Sequence, residues 1–299
     1  MIFFDQKAMN LWTLQNCELL KYYEAISACD FDSGSKCTQE LHIVLNNFCN
    51  DLKAADPDEV YNDAFLFSMA IDTIKEYSEF WDLIFQSNFI DSWGKLQDIQ
   101  DRLRLIFKFS KLTNIKLFKL FEYQCEHLEY IYPYKLFMSS ELVYNSATCS
   151  ICGLDIDSLD CPHLAGMLYR GKLAHAVVKI SAVHGVSIVE HPADKRCVIQ
   201  FPNDAQHFPL VNSLRTLLKT NMNPWEFAGV KCTQLPVPPV QLKNVGRNEL
   251  CPCDSGIKFK NCCLIKNKFF HPHYEILVSS DALLSKEDII FLKQSDIDK

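Results

Sequence analysis

The sequence writes Cys251-Pro-Cys253, eight further residues, and then Cys262-Cys263, and no other stretch limits so tightly what the chain can fold into. Adjacent cysteines close a disulfide only through a strained ring, and a Cys-x-Cys pair is nearly as cramped. Two close thiol pairs joined by a short loop instead match what zinc requires, four soft ligands at the corners of a tetrahedron. Pro252 stiffens the first pair, and Ser255-Gly256 lets the chain reverse and return to the metal. Lys258 and Lys260 offset part of the roughly −2 charge that four thiolates leave on a zinc centre.

A chain of 299 residues buries an adequate core without covalent staples, so its fourteen cysteines exceed what folding needs. The start, MIFFDQKAMNLW, places Asp5 and Lys7 where a secretory signal has its apolar core. The longest apolar-rich run, Ala64 to Ile71, lies between Asp63 and Asp72 and falls far short of the ~20 residues of a membrane span. These features predict a cytoplasmic protein, where thiols stay reduced and cysteine clusters mean metal or catalysis.

A second cluster reads Cys149-Ser-Ile-Cys152-Gly153, then Cys161-Pro-His163, again with eight residues between its halves. Cys-x-x-Cys-Gly spells a zinc knuckle, because the glycine opens a turn that brings backbone N–H groups to the sulfurs. Three thiolates and one imidazole complete a structural set, with His175 as the substitute for His163. Two Zn2+ ions per chain are expected. The other seven cysteines, Cys17, Cys29, Cys37, Cys49, Cys125, Cys197 and Cys232, are scattered and read as small hydrophobes packed in the interior.

The stretch Gly246-Arg247-Asn248-Glu249-Leu250-Cys251-Pro252-Cys253-Asp254-Ser255-Gly256-Ile257-Lys258-Phe259-Lys260-Asn261-Cys262-Cys263 resembles the SEC-C motif. That motif is the zinc-binding tail of the SecA preprotein translocation ATPase and also occurs in many otherwise unrelated bacterial proteins. The resemblance implies that Cys251, Cys253, Cys262 and Cys263 are zinc ligands. It also implies a contact surface for an acidic chaperone or the ribosome, with Arg247, Lys258 and Lys260 as its basic side chains. Asp254 stands where the family has Gly, and Ile257 where it has Lys.

Away from the clusters the texture divides the chain. Phe65, Met69, Ile71, Ile74, Tyr77, Phe80 and Trp81 form one helical apolar stripe, and Leu96, Ile99, Leu103 and Ile106 another. Residues 1–131 therefore read as an acidic helical domain. Residues 1–148 hold 22 Asp+Glu against 13 Lys+Arg (net −9), whereas 149–299 hold 15 against 17 (net +2). Pro133 ends the helical region. Residues 132–231 are expected to form a zinc-knuckle α+β domain with short strands at 186–189 and 197–201 and a helix at 210–219. A Pro-rich linker at 232–245, the zinc module at 246–270 and a polar helical tail at 271–299 follow. The fold class is α+β: an N-terminal helical bundle, a small zinc-knuckle β-rich middle domain and a C-terminal SEC-C-like module.

Enzyme signatures are sparse. Gly166-Met-Leu-Tyr-Arg-Gly171-Lys172-Leu173 follows a P-loop until Leu173 replaces the magnesium-binding Ser/Thr. Arg170, four residues, then His175 is similar to the signature of the HEPN ribonucleases, which implies these two as catalytic candidates; Gly171 between them disfavours the helix that family uses. Both clusters supply four protein ligands, whereas catalytic zinc keeps a position open for water. The leading expectation is a cytosolic, non-enzymatic zinc adaptor whose C-terminal module docks on a chaperone, ribosome or translocation component. The alternatives are a stress or phage-defence effector with nuclease-like activity, and a nucleic-acid-binding zinc protein using the basic island from Lys243 to Lys268.

Overall fold

The apolar stripes read between Phe65 and Ile106 belong to two long helices that form the centre of the molecule. The computed structural model describes residues 16–110, 116–236, 244–253, 255–266, 270–286 and 288–289. Helices α1 (Asn16–Ser27), α2 (Phe31–Asp51), α3 (Asp58–Phe85), α4 (Phe89–Phe109) and α5 (Lys116–Glu129) follow one another, and α3 packs against both α2 and α4. Helix α3 is buried on more than one side: Leu66, Phe67, Ala70, Ile71, Ile74, Tyr77, Phe80, Trp81 and Ile84 are all interior, while Phe65 and Met69 are only partly covered. Its neighbours start cleanly because Asp30 and Asn88 turn their side chains back on the first free N–H groups, Ser33 at 3.0 Å and Asp91 at 3.4 Å.

The helical core does not stop at residue 131. Helix α6 (Pro209–Thr220) seats Val211, Leu214 and Leu218 in the same buried cluster. A 3₁₀ turn, Pro224–Glu226, then delivers Trp225 to its centre. The Trp225 ring stacks on Tyr23 (centroids 5.3 Å apart), Tyr77 (5.5 Å) and Phe121 (6.3 Å), and its indole N–H donates to the Tyr23 carbonyl. Gln124 donates to the carbonyls of Pro224 and Phe227 and accepts from the Tyr77 hydroxyl at 2.6 Å, so the amide buried in the bundle is satisfied by the incoming segment. Residues on both sides of the expected 131/132 boundary thus share one core.

Two antiparallel ribbons leave this core. β1 (Phe137–Cys149) pairs with β4 (Ala176–Val189), from Phe137↔Val189 at the base to Cys149↔Ala176 at the far end. Between them the chain forms a minute hairpin, β2 (Leu168–Tyr169) with β3 (Lys172–Leu173). β5 (Phe227–Pro236) pairs with β6 (Phe270–Val278), from Phe227↔Val278 to Pro236↔Phe270. The two cysteine clusters hang from the far ends of these ribbons. Residues 232–236, expected in a linker, are therefore strand. Residues 271–278, expected in a helical tail, form β6, and the described residues from 279 to 289 are turns and bends. The remainder of that expected linker, 237–243, and residues 290–299 lie outside the described residues. Among the described residues no helix is long and apolar enough to cross a membrane. The architecture is α+β, with a helical N-terminal region, small sheets and a cysteine cluster near the C-terminus.

Candidate metal centres

At the far end of β5–β6 the backbone folds on itself before any metal is considered. Cys251 N–H donates to the Ile257 carbonyl (2.8 Å), Phe259 N–H to Glu249 (2.8 Å) and Lys260 N–H to Arg247 (2.9 Å), so the two halves of the motif run side by side. The Glu249 carboxylate accepts from Gly246 N–H at 3.0 Å and closes the entry. Gly256 takes a left-handed φ of +67°, which permits the reversal between the halves. A short 3₁₀ turn (Phe259–Asn261) and a four-residue helix, α7 (Cys263–Lys266), then present Cys262 and Cys263.

The ligand atoms of Cys251, Cys253, Cys262 and Cys263 all lie within 4.8 Å of one another. Cys253 Sγ is 3.5 Å from Cys262 Sγ, and Cys262 Sγ is 4.0 Å from Cys263 Sγ. These separations are far beyond a disulfide bond. They bracket the roughly 3.8 Å edge of a tetrahedron whose metal–sulfur arms are ~2.3 Å. Burial works against ionisation of Cys253, yet the Ser255 hydroxyl and neighbouring thiols bring it down to about 6. A thiol held near its thiolate form is suited to ligation. Among the described residues, Cys251, Cys262, Cys263 and Phe259 form the buried core of this module, with Val245 and Cys253 packed beside them. Four thiols thus occupy the place of the hydrophobic residues that a larger domain would use.

The second cluster ends β1–β4. Cys149 begins a tight turn in which its carbonyl accepts from Gly153 N–H (2.9 Å), with Gly153 at φ +74°. Ile151 N–H points at the Cys149 sulfur (3.4 Å). Hydrogen bonds from the backbone of Cys152, aided by Ile151, hold the Cys149 thiol below its ordinary range. Cys152 and Cys161 are 3.7 Å apart at sulfur, and with Cys149 and His163 they form a second set within 4.8 Å. The imidazole Nδ1 of His163 is buried without a hydrogen-bond partner among the described residues. A buried ring nitrogen left without a partner is costly unless something binds there, so the donor set fits a metal ion. His175 is not in the set: its backbone N–H and carbonyl bond to Ser150, and Nδ1 lies 3.2 Å from the Leu173 carbonyl.

Three residues that the sequence did not mark position this second centre. The Tyr169 hydroxyl accepts from Leu164 N–H (2.9 Å), and its ring stands edge-on to His163 at 4.8 Å. Asn62 of α3 accepts from Gly171 N–H (2.8 Å), and Asp58 pairs with Arg170 at 2.9 Å. Arg170 also donates to the Ala54 carbonyl and lies over the Tyr61 ring at 4.3 Å. Its φ is +46° and that of Gly171 is +74°, the left-handed pair that a two-residue hairpin turn requires. The two near-motifs set aside in the sequence have ordinary places in the fold. The P-loop-like stretch is the β2–β3 hairpin, and Arg170 sits on its turn while His175 lies in the two-residue link between β3 and β4, not on one helix face. Arg170 fastens the metal loop to α3.

Of the proposed contact residues, Arg247 and Lys258 are exposed and Lys260 is half-buried; Lys243 and Lys268 lie outside the described residues. Leu250 and Ile265 are exposed beside them. Among the scattered cysteines, Cys37 and Cys125 are buried and Cys29 is partly so, but Cys17, Cys49, Cys197 and Cys232 are exposed, contrary to the expected packing role.

The SEC-C motif family matches residues 247–264. Protein translocase subunit SecA of Clostridium beijerinckii is 72% identical over 29 residues, which cover 9% of this chain and 3% of that protein. No solved structure matches the chain. By the family match and the convergence of its four thiols, the chain is a SEC-C motif-containing protein.

Proposed function

We propose that this chain is a cytoplasmic zinc-binding adaptor, with two structural zinc ions and a C-terminal module that docks on a protein or ribosomal partner. The observation that carries this reading is the four-cysteine cluster within a SEC-C match. All four positions of a tetrahedral ion are filled by protein sulfur, so the metal supports shape and leaves no site for a bound water. What such a module offers to other molecules is its outer surface: Arg247 and Lys258 with Leu250 and Ile265. Basic side chains around apolar ones suit an acidic protein surface or ribosomal RNA. The similarity of the module to part of a protein translocase subunit supports a translocation component as the partner class.

The test is affinity capture with mass spectrometry on the full chain. Wild type is compared with Cys262→Ser/Cys263→Ser and with Arg247→Glu/Lys258→Glu. The same partner should be lost from both variants, while elemental analysis finds the charge variant still carrying two zinc ions. A partner retained undiminished by the charge variant removes the docking assignment. One zinc in the wild-type protein, lost on Cys251→Ser and unaffected by Cys149→Ser, removes the second zinc.

A further inference from the structure

The β1–β4 ribbon is amphipathic, and nothing among the described residues covers its apolar side. Residues directly opposed across an antiparallel pair share a face, and successive pairs alternate; three bulges in this ribbon leave His184, Ser181 and Asn145 unpaired between rows. One face carries Met138/Ile188, Ser140/Val186, Leu142/Val183, Tyr144/Ile180 and Ala147/Val178. The other carries Ser139/Ser187, Glu141/Gly185, Val143/Ala182, Ser146/Lys179 and Thr148/Val177. Nine of the ten paired residues on the first face are apolar, and the two charged residues of these rows, Glu141 and Lys179, sit on the second. The first face is open: Leu142 is 43% exposed, Tyr144 57%, Val183 61%, Val186 61% and Ile188 65%. A two-stranded ribbon with a bare apolar face is marginal in water, so such a face marks a contact.

We infer that this face is covered by the same face of a second copy of the chain, two ribbons stacking into a four-stranded sandwich. The order of side-chain sizes along β1 selects that occupant. A twofold axis lying across the strands at the Leu142/Val183 row sets each copy against the other in reverse order. Met138 then meets Ala147 and Tyr144 meets Ser140, so the two largest side chains each enter the gap left by a small one, and Leu142 meets itself at the axis. On β4, Ile188 meets Val178, Val186 meets Ile180, and Val183 meets itself, an even layer of branched side chains. Self-complementarity of this kind is what a twofold interface requires, and facing sheets pack in this way with their strands nearly aligned. The area agrees: eight apolar side chains exposing on the order of 100 Å² each bury about 800 Å² per copy, the size of a standard interface. The absence of charge on the face gives a strongly basic or acidic partner nothing to select.

Sedimentation equilibrium on the zinc-loaded full chain tests the pairing. Dimer is expected at micromolar concentrations, the weak end of the range that interfaces of this size span. Val183→Glu on the apolar face should raise the dissociation constant at least tenfold, while Ala182→Glu, on the other face of the same strand, leaves it unchanged. The size pattern gives a sharper test. Ser140→Tyr alone opposes two tyrosines, and Tyr144→Ser alone opens two gaps, so each should weaken the dimer about tenfold. The double variant Ser140→Tyr/Tyr144→Ser restores the match and should recover most of that loss. A wild-type monomer at about 100 µM, equal effects of the two glutamates, or a double variant as weak as the worse single one overturns the inference. A folded monomer that binds phosphatidylcholine vesicles through this face overturns it in favour of a lipid surface.

Discussion

Arg170 and Gly171 show how much of a metal site can rest on two residues that bind no metal. Both take left-handed backbone, and a methyl group added at Gly171 would lie 2.8 Å from the Tyr61 carbonyl oxygen. Gly171→Ala therefore strains the turn and pushes the loop off α3 at the same point. We expect it to cost about 1–3 kcal/mol of local stability, read as faster amide exchange over residues 164–175, with exchange in α3 and α4 unchanged. Uniform protection across both regions would show that the docking carries no energy. His163 supplies the second residue-scale expectation. His163→Ala removes one ligand and should lower zinc affinity at one site by more than tenfold in a chelator competition. His175→Ala, whose contacts are to Ser150 and Leu173, should leave both sites intact. The cysteines of both clusters could be read from spacing because ligands paired by a short loop are local in sequence. Arg170 could not, because its partner Asp58 lies 112 residues away.

Among elements, the helices were legible and the ribbons only in part: the strand expected at 186–189 is the end of β4, whereas 197–201 forms only an isolated bridge at Val198. The stripe from Phe65 to Trp81 repeats at the helical period, and its burial in α3 follows from that pattern alone. Strand β6 has no such signal, because its partner β5 lies beyond a whole inserted module, and pairing across that distance leaves no local mark. The same blindness turned Gln234 to Pro236 into a linker, although they pair with His271 and its neighbours Phe270 and Pro272. Helix ends, in contrast, are set by single residues and can be tested singly. Asp30 caps α2, and hydrogen bonds from Ser33, first its hydroxyl and then its backbone N–H, hold the carboxyl below its usual range. A carboxyl depressed on folding stabilises fully above its unfolded value near pH 4, and that contribution fades as pH falls further. Asp30→Ala should thus cost about 1 kcal/mol at pH 7. In urea titrations of both proteins, the gap should narrow below pH 4; a gap that widens toward acid would contradict the cap.

At the scale of the whole molecule, the metal clusters and the hydrophobic core are separate systems. The large core runs from Leu19 to Ile289 and contains none of the eight proposed ligands. The SEC-C module, by contrast, has little interior beyond its sulfurs and Phe259, and modules this small need metal to hold a fold. Removing zinc should therefore unfold the ends of the ribbons and spare the helices. Under reducing conditions with a strong zinc chelator, the far-ultraviolet helical signal is expected to change by less than about a tenth. Limited proteolysis should then open at residues 149–175 and 244–266, and restoring zinc should close both. The docking of the middle loop on α3 through Arg170 and Gly171 adds a graded expectation: residues 164–173 should be cut later than the SEC-C module, which has no comparable tie to the bundle among the described residues. Loss of the helical signal together with zinc would instead mean that the ribbons clamp the bundle, and that the metal stabilises the molecule as a whole.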